Sequence, residues 1–284
     1  MARNGNFVFV GGTDGIGRAA ALNVARHGSS ILLVARNEDR GAAAVDAMLD
    51  AGARDAAFLK ADLSTIAGAA AAAQGINLWR STIDGLMHSA MSAFSGKTVT
   101  TDGLEFAFAL QYLARAIINR LCADALAASG DGRIVHIAGA VPYRMAAPDL
   151  DDLQFERRKW RFFKAILTTH VQGFLFLDEA SRRWADRQIG LYATGVASTR
   201  TRAMLDPAMP LIMRIMGRLG ITAEKSAVNA TRLLLDEARP AMQAAIFKNP
   251  KRFTPAPFDL PAQEGGRLWD ITTALARRRG VVLP

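Results

Sequence analysis

The chain has 284 residues, half of them hydrophobic, and no Gly-, Ser- or Pro-rich linker divides it. This length and composition predict a single α/β domain that spans residues 1–284. The formal net charge is +9, from 35 Lys and Arg against 26 Asp and Glu. The basic residues are scattered and lack interleaved aromatic residues, which argues against a nucleic-acid partner and favours a surface that attracts anionic ligands.

The single cysteine, Cys122, cannot form an internal disulfide, as is typical of proteins from a reducing compartment. No apolar run is long and uncharged enough to span a membrane, and the first residues lack the apolar core of a signal peptide. The sequence therefore predicts a cytoplasmic protein with no membrane span. We expect no metal site.

A glycine-rich segment near the N-terminus, NFVFVGGTDGIG at 6–17, predicts a buried strand, a tight loop and the start of a helix. Gly11 allows a sharp turn, Gly15 lets backbone amides approach a pyrophosphate, and Gly17 lets the helix pack against the sheet. The free amides and the positive dipole end of such a helix favour an anion. A nucleotide is the predicted ligand, and an ordinary tight turn is the alternative.

Strand and helix patterns then alternate along the chain. A long helix is predicted to start at Asp102, capped by its carboxylate with Glu105 three residues later. The alternation predicts a doubly wound parallel sheet with helices on both faces, in which ligands bind at the carboxyl ends of the strands. After the first unit, the predicted strands are 31–35, 57–59, 83–89, 133–137 and 191–194, and the predicted helices are 38–49, an Ala-rich helix around 67–73, 102–128 and 159–187.

Several separate segments together resemble the short-chain dehydrogenase/reductase family, in particular its retinol-dehydrogenase-like branch. The resemblance covers nearly the whole chain and implies a Rossmann-like fold and a nicotinamide dinucleotide cofactor. The segments are VGGTDGIG at 10–17 (the family's TGxxxGIG loop), ADLS at 61–64 (its adenine-contacting segment), TTDGLEFAF at 100–108 (the start of its central helix), GRIVHIAG at 132–139 (its fifth strand), PDLDDLQFE at 148–156 (a branch-specific loop) and TGVAST at 194–199 (its PGxxxT segment).

In this family the residue that ends the second strand selects the form of the cofactor, and here it is Arg36, followed by Asn37. A guanidinium pairs with a 2′-phosphate, whereas a carboxylate would accept hydrogen bonds from a free 2′-hydroxyl, so NADP(H) is predicted. The alternative is a surface arginine that starts a helix. The resemblance implies that Asp62 meets the adenine and Thr199 the nicotinamide carboxamide. The predicted cofactor contacts are Gly11, Thr13, Gly15, Ile16, Gly17, Arg36, Asn37, Asp62, Leu63, Ser89, Ala90, Gly195 and Thr199.

The family's catalytic Tyr, with Lys four residues later, has no counterpart in this sequence. The best register places Ile166 at the Tyr position and His170 at the Lys position, and a shifted register offers Trp160 and Lys164. Further family positions are also replaced: Gly139 stands at the Ser position, Gln111 at the Asn position of the central helix, and His88, Ser89, Ala90 and Met91 at the NNAG turn. The tyrosines Tyr112, Tyr143 and Tyr192 are followed four residues later by Ala116, Ala147 and Val196.

Three kinds of chemistry could compensate for the missing phenol. A substitute acid could come from segments that border the cleft, where we favour His170, then Tyr143, with Gln111 as a further candidate. His88 and His136 lie in the same region, but His136 fits a core histidine equally well. A second possibility is an acceptor that needs no proton in the hydride step, such as an iminium. The third is a reaction without redox change.

Residues 200–221 are rich in Met, Leu and Ile, and by resemblance they would form a lid over an apolar substrate. Packing or a subunit contact is the alternative. The resemblance also implies a homodimer or tetramer built from the two long helices. The sequence thus predicts an NADP(H)-binding reductase of an activated apolar small molecule. A non-redox catalyst on the same scaffold and a dinucleotide-binding pseudoenzyme are the alternatives.

Overall fold

A computed structural model describes residues 3–91, 96–249 and 251–284. Strands and helices alternate through most of the chain, as the sequence predicts. Their bounds are β1 Asn6–Val10, α1 Gly15–Ala25, β2 Ser30–Ala35, α2 Glu38–Asp50, β3 Asp55–Lys60, α3 Ile66–Trp79, β4 Gly85–His88, α4 Phe106–Phe108, a π-helical turn Ala109–Leu113, α5 Ala114–Leu121, α6 Ala123–Ala127, β5 Gly132–Ala138, α7 Tyr143–Ala146, α8 Phe162–Arg183, β6 Ile189–Gly195, α9 Arg202–Leu205, α10 Leu211–Leu219, α11 Ala223–Leu235, β7 Ala244–Phe247 and α12 Glu264–Arg278.

The seven strands form one parallel sheet in the order β3-β2-β1-β4-β5-β6-β7. The strand order reverses between β1 and β4, whose last paired residues are Val10 and His88. Ligands of doubly wound sheets bind in the crevice outside the strand ends at this reversal. The predicted doubly wound, Rossmann-like fold is confirmed.

Both faces of the sheet are covered, which is why the short strand β1 is almost wholly apolar. Phe7 and Phe9 point to one face and pack with residues of α1, α2 and α11. Val8 and Val10 point to the other face and pack with residues of α3, α5 and α8. All four side chains are buried, so the glycine loop after β1 starts from a rigid support. Among the described residues, no helix combines the length and apolar character that a bilayer span requires.

The helix predicted from Asp102 starts later than expected and is interrupted. It begins at Phe106, capped by Glu105, whose Oε2 accepts from the Phe108 amide at 2.7 Å. The Asp102 carboxylate reaches a different helix, since its Oδ2 accepts from the Ile66 amide at the start of α3 at 2.7 Å. The predicted capping role of Asp102 is therefore wrong, because its carboxylate satisfies an amide of a neighbouring helix. The rest of the predicted helix divides into the π-helical turn, α5 and α6.

The C-terminal helix α12 lies against α8 and the central helix. Trp269 stacks on Phe176 of α8, with the ring centroids 5.4 Å apart. Thr272 and Tyr112 share a buried hydrogen bond of 2.6 Å between their hydroxyl oxygens. The chain's own C-terminal helix thus contacts both long helices through which the resemblance implies a subunit contact. That subunit contact stays a prediction.

Candidate functional site

The loop between β1 and α1 packs closely against the end of β4. A Cβ built on Gly11 would lie 2.4 Å from the amide nitrogen of Ala90, and one on Gly17 would lie 2.2 Å from Ser89 Oγ. Neither position can hold a larger residue unless the loop moves. Gly15 has a φ of +53°, a conformation that side chains disfavour. The predicted loop residues and the predicted turn after β4 are thus brought together.

The N-terminus of α1 carries a carboxylate that the glycine pattern alone does not single out. Asp14 caps this helix, and its Oδ1 accepts from the Gly15 amide at 2.7 Å. Thr13 and Ile16 flank it and are half-buried. A dinucleotide pyrophosphate would approach the same helix end, so Asp14 would add a like charge there. An acidic residue directly before a helix start is an ordinary capping signal, from which this residue could have been identified.

The predicted adenosine side lies at the ends of β2 and β3. Arg36 follows β2 directly and is exposed, and Asn37 caps α2 through a 2.8 Å bond from the Arg40 amide. Partial burial raises the pKa of Asp62, but hydrogen bonds from the Ser64 hydroxyl and amide, together with the nearby charge of Arg36, lower it overall. Asp62 therefore lies near Arg36 and carries a carboxylate that is ionised near neutral pH. Leu63 is buried in the core.

His170 of α8 contacts the end of β5. Its Nδ1 accepts from the Gly139 amide at 3.0 Å, which leaves the proton of the neutral imidazole on Nε2. Nε2 is buried and has no hydrogen-bond partner in the described part of the chain. Burial and the nearby charge of Arg115 lower the pKa of His170 to about 3, so the ring is neutral at physiological pH. The structure thus brings His170 and Gly139 together, and their placement at the family's Lys and Ser positions stays a prediction.

The shifted register places its two residues elsewhere. Trp160 precedes α8, and its Nε1 donates to Glu105 Oε1 at 3.1 Å. Lys164 Nζ donates to the carbonyl of Ala147 at 3.2 Å. Neither hydrogen bond involves the end of β5, so the structure gives this register no support.

Gln111 lies in the π-helical turn and is joined to α8. Its Oε1 accepts from Thr169 Oγ1 at 3.2 Å, and Thr169 directly precedes His170. π-Helical turns inside longer helices frequently occur at functional sites. Gln111 and His170, two of the three predicted catalytic residues, therefore lie on neighbouring helices that Thr169 links by its hydrogen bond to Gln111.

Tyr143, the third predicted catalytic residue, lies in α7 after β5. Its hydroxyl donates to Glu264 Oε1 at the start of α12. Burial and this carboxylate raise the pKa of Tyr143 well above its ordinary value, so the phenol is a weaker acid than a free tyrosine. A general acid works best with a pKa near the working pH. The geometry therefore favours a binding role for Tyr143 over proton donation.

His88 and His136 are joined through one buried amide. Asn119 Oδ1 accepts from His88 Nε2 at 2.8 Å, and Asn119 Nδ2 donates to His136 Nε2 at 3.0 Å. Burial lowers the pKa of His88 to about 3 and that of His136 well below its ordinary value. These contacts fit the interpretation of His136 as a core histidine and extend it to His88.

Arg115 is a buried cation that the sequence pattern does not single out. It is 4% exposed. Its guanidinium donates to the carbonyl of Ile137 at 3.1 Å and to that of Ala90 at 3.3 Å. It therefore ties the carboxyl ends of β4 and β5 together beside His170. An arginine amid apolar residues of the central helix is the sequence signal that could have revealed it. The described residues contain no cluster of side chains suited to hold a metal ion.

The end of β6 and the following turn are tightly packed. A Cβ on Gly195 would lie 2.8 Å from Ala140 Cβ. Thr199 is buried, and its Oγ1 bonds to Ser226 Oγ at 2.6 Å and to the carbonyl of Ala197 at 2.8 Å. The predicted contact of Thr199 with a nicotinamide carboxamide would therefore require its hydroxyl to exchange one of these bonds.

The predicted lid segment 200–221 contains α9 and α10, and only Gly217 is buried within these two helices. Thr201 borders the glycine loop, since its Cγ2 lies 3.0 Å from a Cβ built on Gly15. The segment exposes large apolar side chains at Leu205, Leu211, Ile212, Ile215, Met216 and Leu219. Because these side chains are exposed, packing in the core, one of the alternatives for this segment, does not account for its apolar residues.

Comparison with known proteins agrees with this geometry. Residues 6–146 match the short chain dehydrogenase family. The chain is 30% identical over 194 residues to a Streptomyces sp. (strain C5) protein named "Putative daunorubicin C-13 ketoreductase DnrU", an alignment that covers 68% of this chain and 66% of that relative. It is 26% identical over 283 residues to human retinol dehydrogenase 13, covering 92% of this chain and 81% of the relative.

A solved short-chain type dehydrogenase/reductase from Mycobacterium ulcerans shares the fold, with a TM-score of 0.66 and 18% identity over 89% of this chain and 92% of that one. This identity is too low to transfer more than the fold. The family match and the two relatives support an assignment to a protein family as well as to a fold. The chain belongs to the short-chain dehydrogenase/reductase family, whose members are oxidoreductases that bind nicotinamide dinucleotides.

Proposed function

We propose that this protein is an NADP(H)-dependent reductase of an activated, apolar small molecule. The observation that carries the proposal is the crevice at the reversal of strand order, where the glycine loop, the turn after β4 and the exposed Arg36 lie along one edge of the sheet. The two curated relatives are named for a ketoreductase and a retinol dehydrogenase. Both names agree with an apolar substrate.

The residues at this edge fit a phosphorylated dinucleotide. The amides at the start of α1 would face the pyrophosphate, and Gly11, Gly15 and Gly17 keep side chains out of its way. Arg36 would pair with the 2′-phosphate, and Asp62 beside it would contact the adenine. When bound, the cofactor supplies the hydride.

His170 is the proposed polar contact at the nicotinamide end. Its Nε2–H is a buried donor without a partner among the described residues. An unpaired buried donor costs about 1 to 3 kcal/mol, so an acceptor that reaches it would be bound favourably. A ribose hydroxyl or the oxygen of the substrate is such an acceptor. Gln111, through Thr169, would hold the helix turn that carries the imidazole.

The substrate class follows from proton supply. His170 is neutral and Tyr143 is held by Glu264, so neither is a strong acid in this arrangement. Loss of a positioned general acid costs about 10² to 10⁴ in rate, which makes an ordinary ketone a poor substrate. A conjugated dicarbonyl, an enone or an iminium accepts hydride more easily. We further propose that residues 200–221 close over this substrate as a lid.

Deuterium transfer tests the proposal. NADPH with deuterium at both C4 positions is incubated with the enzyme and trans-chalcone, an apolar enone whose reduced carbon keeps a C–D bond that does not exchange with water. The reduced product should carry the label at the stoichiometry of cofactor oxidised, and a Gly17→Val variant, in which the loop cannot close on Ser89, should give none. Label-free product, or equal conversion without cofactor, would favour a non-redox catalyst. Cofactor binding without any turnover over a panel of such acceptors would favour a pseudoenzyme.

A further inference from the structure

A cavity of about 530 Å³ lies beside the proposed catalytic end, bordered by the segment after β5, by α8 and by the residues around β7. This volume lies within the range of small-molecule pockets. Val141 and Tyr143 line it on one side, and Ile246 and Lys248 line it on another. None of the predicted cofactor contacts lines it.

The cavity lies next to the place where hydride transfer is proposed, with Val141 between them. Val141 Cγ2 lies 3.3 Å from a Cβ built on Gly139, the residue whose amide donates to His170. The Val141 amide also bonds to the Gly139 carbonyl at 2.9 Å. A molecule in the cavity that extends past Val141 would therefore reach Gly139 and the imidazole.

The wall of the cavity suits a flat ring. Phe174 of α8 and Phe258 stack with their centroids 5.6 Å apart and their planes at 24°. Ile246 of β7 lines the same space. Aromatic side chains favour offset stacking with planar groups, so a ring system would be held here by contact area and by stacking.

Two cations line the cavity without protein partners. Arg144 of α7 and Lys248 after β7 make no ion pair and no side-chain hydrogen bond within the described residues. Asp259 also lines the cavity, yet it forms no ion pair with either of them. Glu264, behind Tyr143, is bonded to the phenol. Unpaired cations beside an apolar wall fit a ligand that carries its own anion.

We propose that this cavity binds the substrate of the proposed reductase and that this substrate, apolar over most of its surface, is a flat, ring-bearing carboxylate, with its ring against Phe174 and Phe258 and its carboxylate between Arg144 and Lys248. The statement that the ligand is the substrate rests on the proposed function. The binding site itself does not, because it is argued only from the residues that line the cavity.

Three matched probes test it by calorimetric titration: 2-naphthoate, 2-naphthamide and 2-naphthylmethylammonium. We expect 2-naphthoate to bind at least about fivefold more tightly than the amide, as one partly exposed ion pair contributes about 1 kcal/mol. Lys248→Met and Arg144→Met should each remove most of that preference. Lys225→Met, a change of the same type at an exposed position of α11 outside the cavity, should leave the preference for naphthoate intact. Equal binding of naphthoate and naphthamide, tighter binding of the ammonium, or unchanged preference in both cavity variants would overturn the proposal.

The same variants separate the two proposals. Lys248→Met and Arg144→Met should bind NADPH as the wild-type protein does, because neither residue lies at the cofactor edge. If naphthoate binds as expected but no form of the protein binds NADPH, the proposed reductase fails and the carboxylate site remains. If NADPH binds but the preference for naphthoate over naphthamide is missing, the carboxylate site fails and the proposed reductase remains. Phe258→Ala should weaken naphthoate and naphthamide equally, and circular dichroism would confirm that each variant is folded.

Discussion

At the scale of single residues, one buried cation dominates the proposed catalytic end. Burial lowers the pKa of the Arg115 guanidinium to about 10, and no acidic side chain among the described residues offsets this effect. Its charge contributes to the lowered pKa of His88, His136 and His170. These histidines therefore act as neutral hydrogen-bonding groups, and the chemistry that we propose uses a neutral imidazole.

Asp14 gives a prediction about cofactor affinity. Asp14→Ser keeps a capping oxygen for α1 and removes a negative charge from the helix end that would face the pyrophosphate. Affinity for NADPH should rise about two- to fivefold, the effect of roughly 0.5 to 1 kcal/mol at a helix terminus. Titration at low salt measures it. Asp186→Ser, at an exposed residue before β6 and thus at the opposite ends of the strands from the cofactor edge, is the control for net charge. Weaker binding by Asp14→Ser would show that its carboxylate does not face the cofactor phosphates.

The buried histidines give a prediction about acid stability. The pKa of both His88 and His170 is about 3 in the folded protein, against an ordinary value of 6.5. The unfolded chain therefore binds more protons, and the stability that these groups provide is complete above pH 6.5 and is lost as the pH falls toward 3. Each could contribute up to about 1.4 kcal/mol per pH unit in that window. Urea unfolding between pH 7 and pH 4 measures the slope.

Variants at one buried and one exposed histidine test whether the buried ring sets this dependence of the free energy of unfolding on pH. His88→Gln should flatten the dependence on pH, because glutamine cannot titrate. His27→Gln, at an exposed histidine, should leave the slope as it is in the wild-type protein. An identical slope in His88→Gln and His27→Gln would show that the buried ring does not set the acid response.

At the scale of elements, strands and the first helix were predictable because their signals are local. An apolar run followed by glycines specifies β1, the loop and the start of α1, and Asn37 marks the start of α2 by its capping chemistry. The prediction that Asp102 starts the long helix was wrong because its carboxylate accepts from the Ile66 amide of α3. This contact joins distant segments, so the spacing of neighbouring residues in the sequence does not reveal it. The sequence pattern also assigned no element to β7, α11 and α12, whose apolar residues find their partners in distant segments.

The contact between α12 and α8 gives a prediction about stability. Trp269 is buried against Phe176 and Trp184, and Arg120 lies over its ring with 4.1 Å between the guanidinium carbon and the ring centroid. Trp269→Ala should lower the free energy of unfolding by about 3 to 5 kcal/mol, measured by urea denaturation. Trp79→Ala, at a tryptophan that is only partly buried, should cost clearly less. Equal costs would mean that α12 contributes little to the folded state.

At the scale of the whole molecule, the sequence identified the residues proposed to bind the cofactor, whereas the contacts of the proposed catalytic end could not be predicted. The glycine loop, Arg36 and Asp62 are specified by short motifs, and the fold brings them to one edge of the sheet. Arg115 and Glu264 could not be placed from the sequence, because their roles arise from contacts between the central helix and the strand ends and between α7 and α12. The subunit contact through the two long helices stays a prediction, and the contacts of α12 with these helices could not be read from the sequence.

We propose that the dinucleotide crevice binds NADP(H) in preference to NAD(H) and that no phenol delivers the proton. Calorimetric titration of NADPH and NADH into the wild-type protein and Arg36→Asp tests it most directly. NADPH should bind at least about tenfold more tightly than NADH to the wild-type protein, a difference of about 1.4 kcal/mol, and Arg36→Asp should abolish or reverse the preference. Absence of heat from both coenzymes, or equal affinity in the wild-type protein, would contradict the account.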